Sequence, residues 1–297
     1  MQQANLQTLL SQHWGGRWHV QARHASGFCQ TWRAEASAQA PRFLKTLAAE
    51  RIEVLRAEAD GLQALADTRT VAVPAVLDCF EAQGVAVLAL PWLDLQALTN
   101  PADATRFGAA LAALHSTAPA GDGRFGWRRK NWLGGTAQCN AWSAATGLPG
   151  WLQFLSEHRL LAMSCGLDTQ LQQVVQQVVA VLPSLFAADD HAPQASLVHG
   201  DLWSGNWAGL PDGTPVIFDP AVSVSDAESE LAMMELFGAP PAGFWSAYCA
   251  TRPLARGYPL RRPVYQLVHV LNHVRLFGAG YRQQALALAD SVLRCRP

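Results

Sequence analysis

Residues 197–206 read Leu-Val-His-Gly-Asp-Leu-Trp-Ser-Gly-Asn, and a little further on the chain reads Val216-Ile217-Phe218-Asp219-Pro220. In each stretch apolar residues lead into polar ones. Leu197 and Val198 can be anchored in a core while His199, Asp201 and Asn206 ride on the tight loop that follows. Val216 to Phe218 reads as a short apolar strand that delivers the Asp219 carboxylate at its end. Two carboxylates and one amide, carried by separate stretches and set to converge, need a large core around them. The composition allows it: 50% of the 297 residues are hydrophobic and only 15% are charged, which argues against disorder.

The same numbers exclude several classes. A net charge of −1 and a pI near 6.7 leave no electrostatic footprint for nucleic acid or an anionic membrane. The six cysteines are widely and irregularly spaced with no C-x-x-C pair. That disfavours a disulfide scaffold or a zinc site and fits a reducing compartment. Met1 to Trp14 lacks the basic start and apolar run of a signal peptide. The longest apolar run, Gly84 to Leu93, is interrupted by Pro91 and falls short of a membrane span. The expectation is a cytoplasmic monomer with no nucleic-acid or membrane partner.

The hydrophobic pattern divides the chain near Trp92. Residues 4–13 read as a short polar helix, 17–36 as a hairpin and 41–45 as a short strand ending in Lys45. Ile52, Leu55, Ala59, Leu62 and Leu65 recur at three- and four-residue steps, which predicts an amphipathic helix over 48–66. Val73 to Val76 starts another extended segment. Gly84 to Leu90 reads as a strand buried on both faces. Beyond Leu93 helices dominate, over 102–116, 151–163, 170–182, 227–237 and 263–277, with Pro183 expected to end the helix over 170–182. Residues 121–145 read as loop, and 197–219 as short strands and loops. The fold class is α+β, with residues 1–92 as a small β-rich lobe holding one main helix and residues 93–297 as a larger, mostly helical lobe.

His199, Asp201 and Asn206 have the H-x-D-x-x-x-x-N spacing of the kinase catalytic loop. Asp201 would accept the proton of an attacking hydroxyl, and Asn206 and Asp219 would hold magnesium against the phosphates of ATP. The two-lobed division then reads as a protein-kinase-like fold. Lys45, at a strand end, is the candidate for holding the α- and β-phosphates. Glu58, in the middle of the following helix, is its expected partner, with Glu50 and Glu53 as fallbacks. The structural alternative is that Asp201 and Asn206 only cap turns, which leaves Lys45, Asp219 and the β-rich first lobe unexplained.

His199-Gly200-Asp201-Leu202-Trp203-Ser204-Gly205-Asn206, with the later Phe218-Asp219-Pro220, resembles the fructosamine (ketosamine) 3-kinases. So do Phe43-Leu44-Lys45, Leu111 to His115, Phe125-Gly126-Trp127, Gln138 to Trp142, Glu157 to Leu160, Glu230 to Gly238, Tyr265 to Leu267, Leu271 to His273 and Leu276 to Gly278. The resemblance implies a fold similar to aminoglycoside phosphotransferases and choline kinases. It implies ATP-dependent phosphorylation of the 3-hydroxyl of ketosamines, free or protein-bound, followed by elimination that frees the amine. Carried over by position, Asp201 matches the base, Asn206 and Asp219 the metal ligands, and Lys45 the ATP lysine.

The sequence departs from that pattern in three places. The phosphate-covering loop, Ala25 to Cys29, has one glycine, Gly27, where backbone N–H groups are expected to approach phosphate. The segment joining the lobes reads Leu90-Pro91-Trp92, and Pro91 has no N–H to donate. Val222 to Glu228, where a sugar could sit, match weakly. Trp203 and His199 are the candidates for contacting the acceptor. His269 and His273 have a metal-capable spacing but lack the glutamate of H-E-x-x-H, so packing is their expected role. Gln138 and Asn140 read as loop-stabilising or substrate-contacting. Two other functions stay open here: an aminoglycoside- or choline-type kinase, for which Asp226, Glu228 and Glu230 could supply an acidic pocket, and a nucleotide-binding pseudokinase.

Overall fold

A computed structural model describes residues 3–25, 28–117, 122–187 and 191–294. The chain opens with helix α1 (Gln3–Trp14), then strands β1 (Trp18–Ala25), β2 (Gln30–Ala36) and β3 (Gln39–Ala48). A 3-10 turn, Ala49–Arg51, leads into α2 (Ile52–Thr68), and β4 (Asp78–Ala82) and β5 (Val85–Pro91) complete the N-terminal part. The five strands form one antiparallel sheet in the order β1-β2-β3-β5-β4.

Both faces of this sheet are covered, and the side-chain alternation of its strands shows how. Val87 and Ala89 of β5 pack with Leu44, Trp32 and Trp18 under Leu6, Leu9 and Leu10 of α1. Their neighbours Ala86, Leu88 and Leu90 pack on the other face against Ile52, Leu55 and Leu62 of α2. Burial on both faces accounts for the unbroken apolar run in β5. The first helix is polar by composition, yet its three leucines cap the sheet. Lys45 shares its face of β3 with Phe43 and Leu47, toward α2.

Helices dominate from Pro101 on. They are α3 (Pro101–Ser116), α4 (Gly147–Gln153), α5 (Ala162–Ser164), α6 (Thr169–Ala187), α7 (Ala227–Met234), α8 (Phe244–Thr251), α9 (Tyr258–Phe277) and α10 (Arg282–Arg294). A π-helical segment, Phe154–Leu161, joins α4 to α5. Asn100 caps α3 by accepting the Ala102 N–H at 2.9 Å, with Pro101 at the first helical position. Three two-stranded ladders complete this part: β6 (Asn131–Leu133) with β7 (Thr136–Gln138), β8 (Ala195–Val198) with β11 (Ser223–Asp226), and β9 (Trp207–Gly209) with β10 (Pro215–Ile217).

Four sequence expectations need correction. Helix α6 runs through Pro183, because Leu182, Leu185 and Phe186 are buried in the core and hold the last turn in place. Helix α9 starts at Tyr258, ahead of Pro263, which sits within its early turns. Residues 121–145, expected as loop, contain the β6–β7 hairpin, and α8 and α10 were not anticipated. Among the described residues no helix is long and apolar enough to cross a membrane.

Candidate active site

Lys45 is 5% exposed, and its ammonium reaches Glu58 Oε1 at 2.8 Å and Asp219 Oδ1 at 2.6 Å. One contact ties β3 to α2; the other spans the chain from the sheet to the segment after β10. Burial pulls the Lys45 pKa down, but Asp219 and Glu58 outweigh it and raise it, so the group stays a cation. Glu58 is pushed up by burial while Lys45 draws it back. The fallback partners face elsewhere: Glu53 pairs with Arg56 and Arg129 on the surface, and Glu50 lies exposed in the 3-10 turn.

β8 delivers the 199–206 loop. Gly200 is required at the bend: its φ is +84°, and a Cβ there would lie 2.1 Å from the Ala221 carbonyl oxygen. The loop is held from beneath by Glu230 of α7. Glu230 Oε1 accepts the Gly200 N–H at 2.7 Å, and Oε2 accepts the His199 N–H at 3.1 Å. The same Oε2 lies 2.9 Å from His115 Nε2 at the end of α3. Burial opposes the Glu230 charge, but His115, His199 and the Gly200 N–H more than compensate and lower its pKa.

Asn206 Nδ2 donates to the Asp201 backbone oxygen at 2.8 Å and lies 3.4 Å from Asp201 Oδ2. That fixes the amide orientation and leaves Oδ1 on its opposite side. Burial in the cleft and the nearby Asp219 carboxylate push Asp201 well above the usual carboxylate range, against the pull of Asn206. Asp219 itself is a non-glycine residue with φ of +61°, a sparsely populated conformation that aspartate tolerates better than most residues. The strand Val216-Ile217 and the Asn206 carbonyl, which accepts the Phe218 N–H at 3.0 Å, set that turn. Behind it, Gly61 of α2 lets the helix approach Pro220 and Val222, where a Cβ would meet carbons at 3.2–3.3 Å.

Lys45, Glu58, Asp201, Trp203, Asn206 and Asp219 all line one cleft of about 530 Å³, a volume in the range of small-molecule sites. It runs on to β6, Phe28 and the C-terminal part of α9. Oxygen donors from Asp219 and Asn206, beside a fixed cation, suit a hard divalent ion and a polyphosphate.

The sequence profile named "Fructosamine kinase" matches residues 2–295. The chain belongs to the fructosamine kinase family. A Synechocystis protein assigned as a ketoamine kinase is 40% identical over 258 residues, covering 85% of this chain and 83% of that protein. The chloroplastic protein-ribulosamine 3-kinase of Arabidopsis thaliana is 33% identical, over 85% of this chain and 76% of its own. A Haemophilus somnus crystal structure, assigned as a fructosamine-3-kinase, superposes with a TM-score of 0.82 at 27% identity, over 97% of this chain and 96% of that one. An aminoglycoside phosphotransferase superposes with a TM-score of 0.63 at 15% identity, over 97% and 98% of the two chains. The fold is therefore protein-kinase-like, with its β-rich part first and its helical part second.

Several residues singled out in this fructosamine kinase sequence stand elsewhere than expected. His199 is fully buried: Nε2 donates to the Phe218 carbonyl at 2.8 Å, and Nδ1 accepts the Asp201 N–H at 3.3 Å. Burial lowers its pKa, which keeps the ring neutral, so it braces the two loops from behind instead of facing an acceptor. Val222 to Glu228 are buried, running from just before β11 into the start of α7, and do not line the cleft. Trp203 does line it, 39% exposed, with its ring against Gly205. Asn140 accepts from Arg159 at 2.8 Å and donates to the Arg129 carbonyl at 3.1 Å, a loop-stabilising role. His273 Nδ1 bonds the His269 carbonyl oxygen at 2.8 Å, so the pair is not arranged as metal ligands. Gly27 lies outside the described residues.

Glu230 has a role that sequence reasoning missed, that of bracing the 199–206 loop. Grouped with Asp226 and Glu228 as an acidic pocket, all three are at most 4% exposed. Glu228 pairs twice with Arg261, at 2.8 and 2.9 Å, and Asp226 accepts from Tyr265 at 2.8 Å. The signal was available: a glutamate followed by Leu-Ala-Met-Met on a helix must be buried and therefore partnered.

Proposed function

We propose that this chain transfers the γ-phosphoryl group of ATP to the 3-hydroxyl of a ketosamine of the fructosamine or ribulosamine type, in deglycation or metabolite repair. The observation that carries the reading is the meeting of Lys45 with Asp219 at 2.6 Å, in the cleft that Asp201 and Asn206 also line. The relatives named as ketoamine and ribulosamine kinases supply the substrate class.

Asp201 takes the proton of the acceptor hydroxyl; the oxygen attacks the γ-phosphorus as the bond to the ADP oxygen breaks. Lys45 holds the α- and β-phosphates, and Glu58 keeps its ammonium aimed. Asp219 and the Asn206 side-chain oxygen would hold magnesium, which supplies neutralisation of the phosphate charge. Trp203 offers an aromatic face to the sugar ring.

The burial of Asp226, Glu228 and Glu230 removes the acidic wall that a polycationic aminoglycoside would need. The presence of the base, the lysine and both oxygen donors argues against a pseudokinase. ADP release measured over ribulosamines, fructosamines, an aminoglycoside and choline tests the reading. Turnover confined to the ketosamines, and lost in Asp201→Ala, is expected; turnover confined to an aminoglycoside or choline overturns it.

A further inference from the structure

Beyond Asp201 the cleft becomes aromatic, walled by Phe28, Trp132, Phe237 and Phe277. His273 packs between Phe237 and Phe277, with ring centroids 4.7 and 5.3 Å away, and Phe28 meets Phe277 edge-on at 6.2 Å. Phe277 is 56% exposed, more than any other large hydrophobic side chain among the described residues. A ring so open to water, at the rim of a cavity, gains most by being covered. The carboxylates that line the cleft, Glu58, Asp201 and Asp219, are the phosphoryl-transfer set already described. Next to Phe28 stands a cation, Arg51, whose Nη1 lies 3.5 Å from the Phe28 carbonyl oxygen. Among the described residues no carboxylate comes within ion-pair distance of Arg51.

Two neutral amides complete this end. Asn131 Nδ2 donates to the Val222 carbonyl at 2.6 Å, and Asn272 Nδ2 to the Leu133 carbonyl at 3.2 Å. Both residues line the cleft and are 2% exposed, and both Oδ1 atoms lack a partner and are themselves closed off from solvent. The carbonyl partners fix which end of each amide is nitrogen, so the unpartnered ends are acceptors.

We propose that the amine joined to the acceptor sugar is a free apolar α-amino acid. Its side chain lies on the aromatic wall at Phe277, and its carboxylate pairs with Arg51. The assignment rests on the ketosamine reading above and specifies the amine side of that substrate. A guanidinium matches a carboxylate in charge and shape. An amine-side group with further positive charge meets Arg51 instead of a carboxylate.

The test compares ribulosamines of phenylalanine, of phenethylamine, which lacks the carboxylate, and of glycine, which lacks the ring. The phenylalanine derivative should exceed each of the others about tenfold or more in kcat/KM. Arg51→Gln should abolish discrimination between phenylalanine and phenethylamine derivatives. Phe277→Ala should abolish discrimination between phenylalanine and glycine derivatives, and Phe277→Tyr should keep it. The anion at Arg51 could instead be an ATP phosphate. A raised KM for ATP in Arg51→Gln, with discrimination by the carboxylate intact, overturns the assignment. Equal turnover of all three ribulosamines overturns it while leaving the ketosamine reading standing; turnover of none overturns both.

Discussion

Glu230 accepts the backbone N–H of Gly200 at 2.7 Å from a position that is 2% exposed. The proposed catalytic aspartate is therefore aimed by a carboxylate in the core of the helical part, one residue before it along the loop. Glu230→Gln puts an amide where two backbone N–H groups and His115 need an acceptor. It should cost about 2–4 kcal/mol in urea denaturation, and kcat should fall more than KM changes. Unaltered stability in this variant would contradict the bracing role.

Lys45 holds Asp219 and Glu58, and burial together with the nearby Asp219 carboxylate disfavours the Glu58 charge. Lys45→Met should lower kcat/KM by about a hundredfold or more and should weaken ATP binding, read by ligand-induced shift of Tm. Lys45→Arg should rescue little, since a planar fork does not replace a compact ammonium 2.6–2.8 Å from both partners. Full ATP response in the methionine variant would remove Lys45 from the phosphate site.

Trp203 lies over Gly205, where a Cβ would come within 2.4 Å of the indole. Because that ring is partly exposed, Gly205→Ala should swing it away with little loss of stability. The KM for the ketosamine should then rise several-fold, with the KM for ATP less affected. An unchanged acceptor KM would mean that the indole only packs the loop.

A pH effect follows from the cluster beneath β11. His191 Nε2 lies 2.7 Å from Asp226 Oδ2, and its Nδ1 lies 3.6 Å from Glu228 Oε1, with Arg261 and Tyr265 facing the same carboxylates. Burial lowers the His191 pKa, but Asp226 and Glu228 outweigh it, and the net shift is upward. A histidine whose pKa is raised on folding adds stability that is full below its unfolded pKa and is lost as pH rises through the folded value. The stability difference between wild type and His191→Gln should be larger at about pH 6 than at about pH 8. A difference independent of pH would contradict this.

Much of this was legible in the sequence because it was carried by local spacing. The loop from His199 to Asn206, the strand before Asp219 and the lysine ending Phe43-Leu44-Lys45 each announce themselves over a few residues. Glu58 was the expected partner of Lys45 because it lies mid-helix, and the structure brings the two together. What spacing could not show was which side of a loop faces the core. His199 looked like a cleft residue and is a brace, since the turn at Gly200 sends its ring toward Phe218. Asp226, Glu228 and Glu230 could have supplied an acidic pocket, but β11, paired with β8, and α7 carry them inward to His191, Arg261 and His115. Pro183 did not end its helix because long-range packing of Leu182, Leu185 and Phe186 overrode a local signal. The aromatic wall was invisible for the same reason: Phe28, Trp132, Phe237 and Phe277 meet only in the folded chain.

The central claim is phosphoryl transfer to one hydroxyl of a ketosamine. Its most direct measurement is mass spectrometry with phosphorus NMR on a ribulosamine incubated with the chain, ATP and magnesium. The account predicts one added phosphoryl group, at the 3-oxygen, followed by appearance of the free amine, with neither event in Asp201→Ala. A phosphate found on another atom, or an Asp201→Ala variant that forms the 3-phosphate at the wild-type rate, would contradict it.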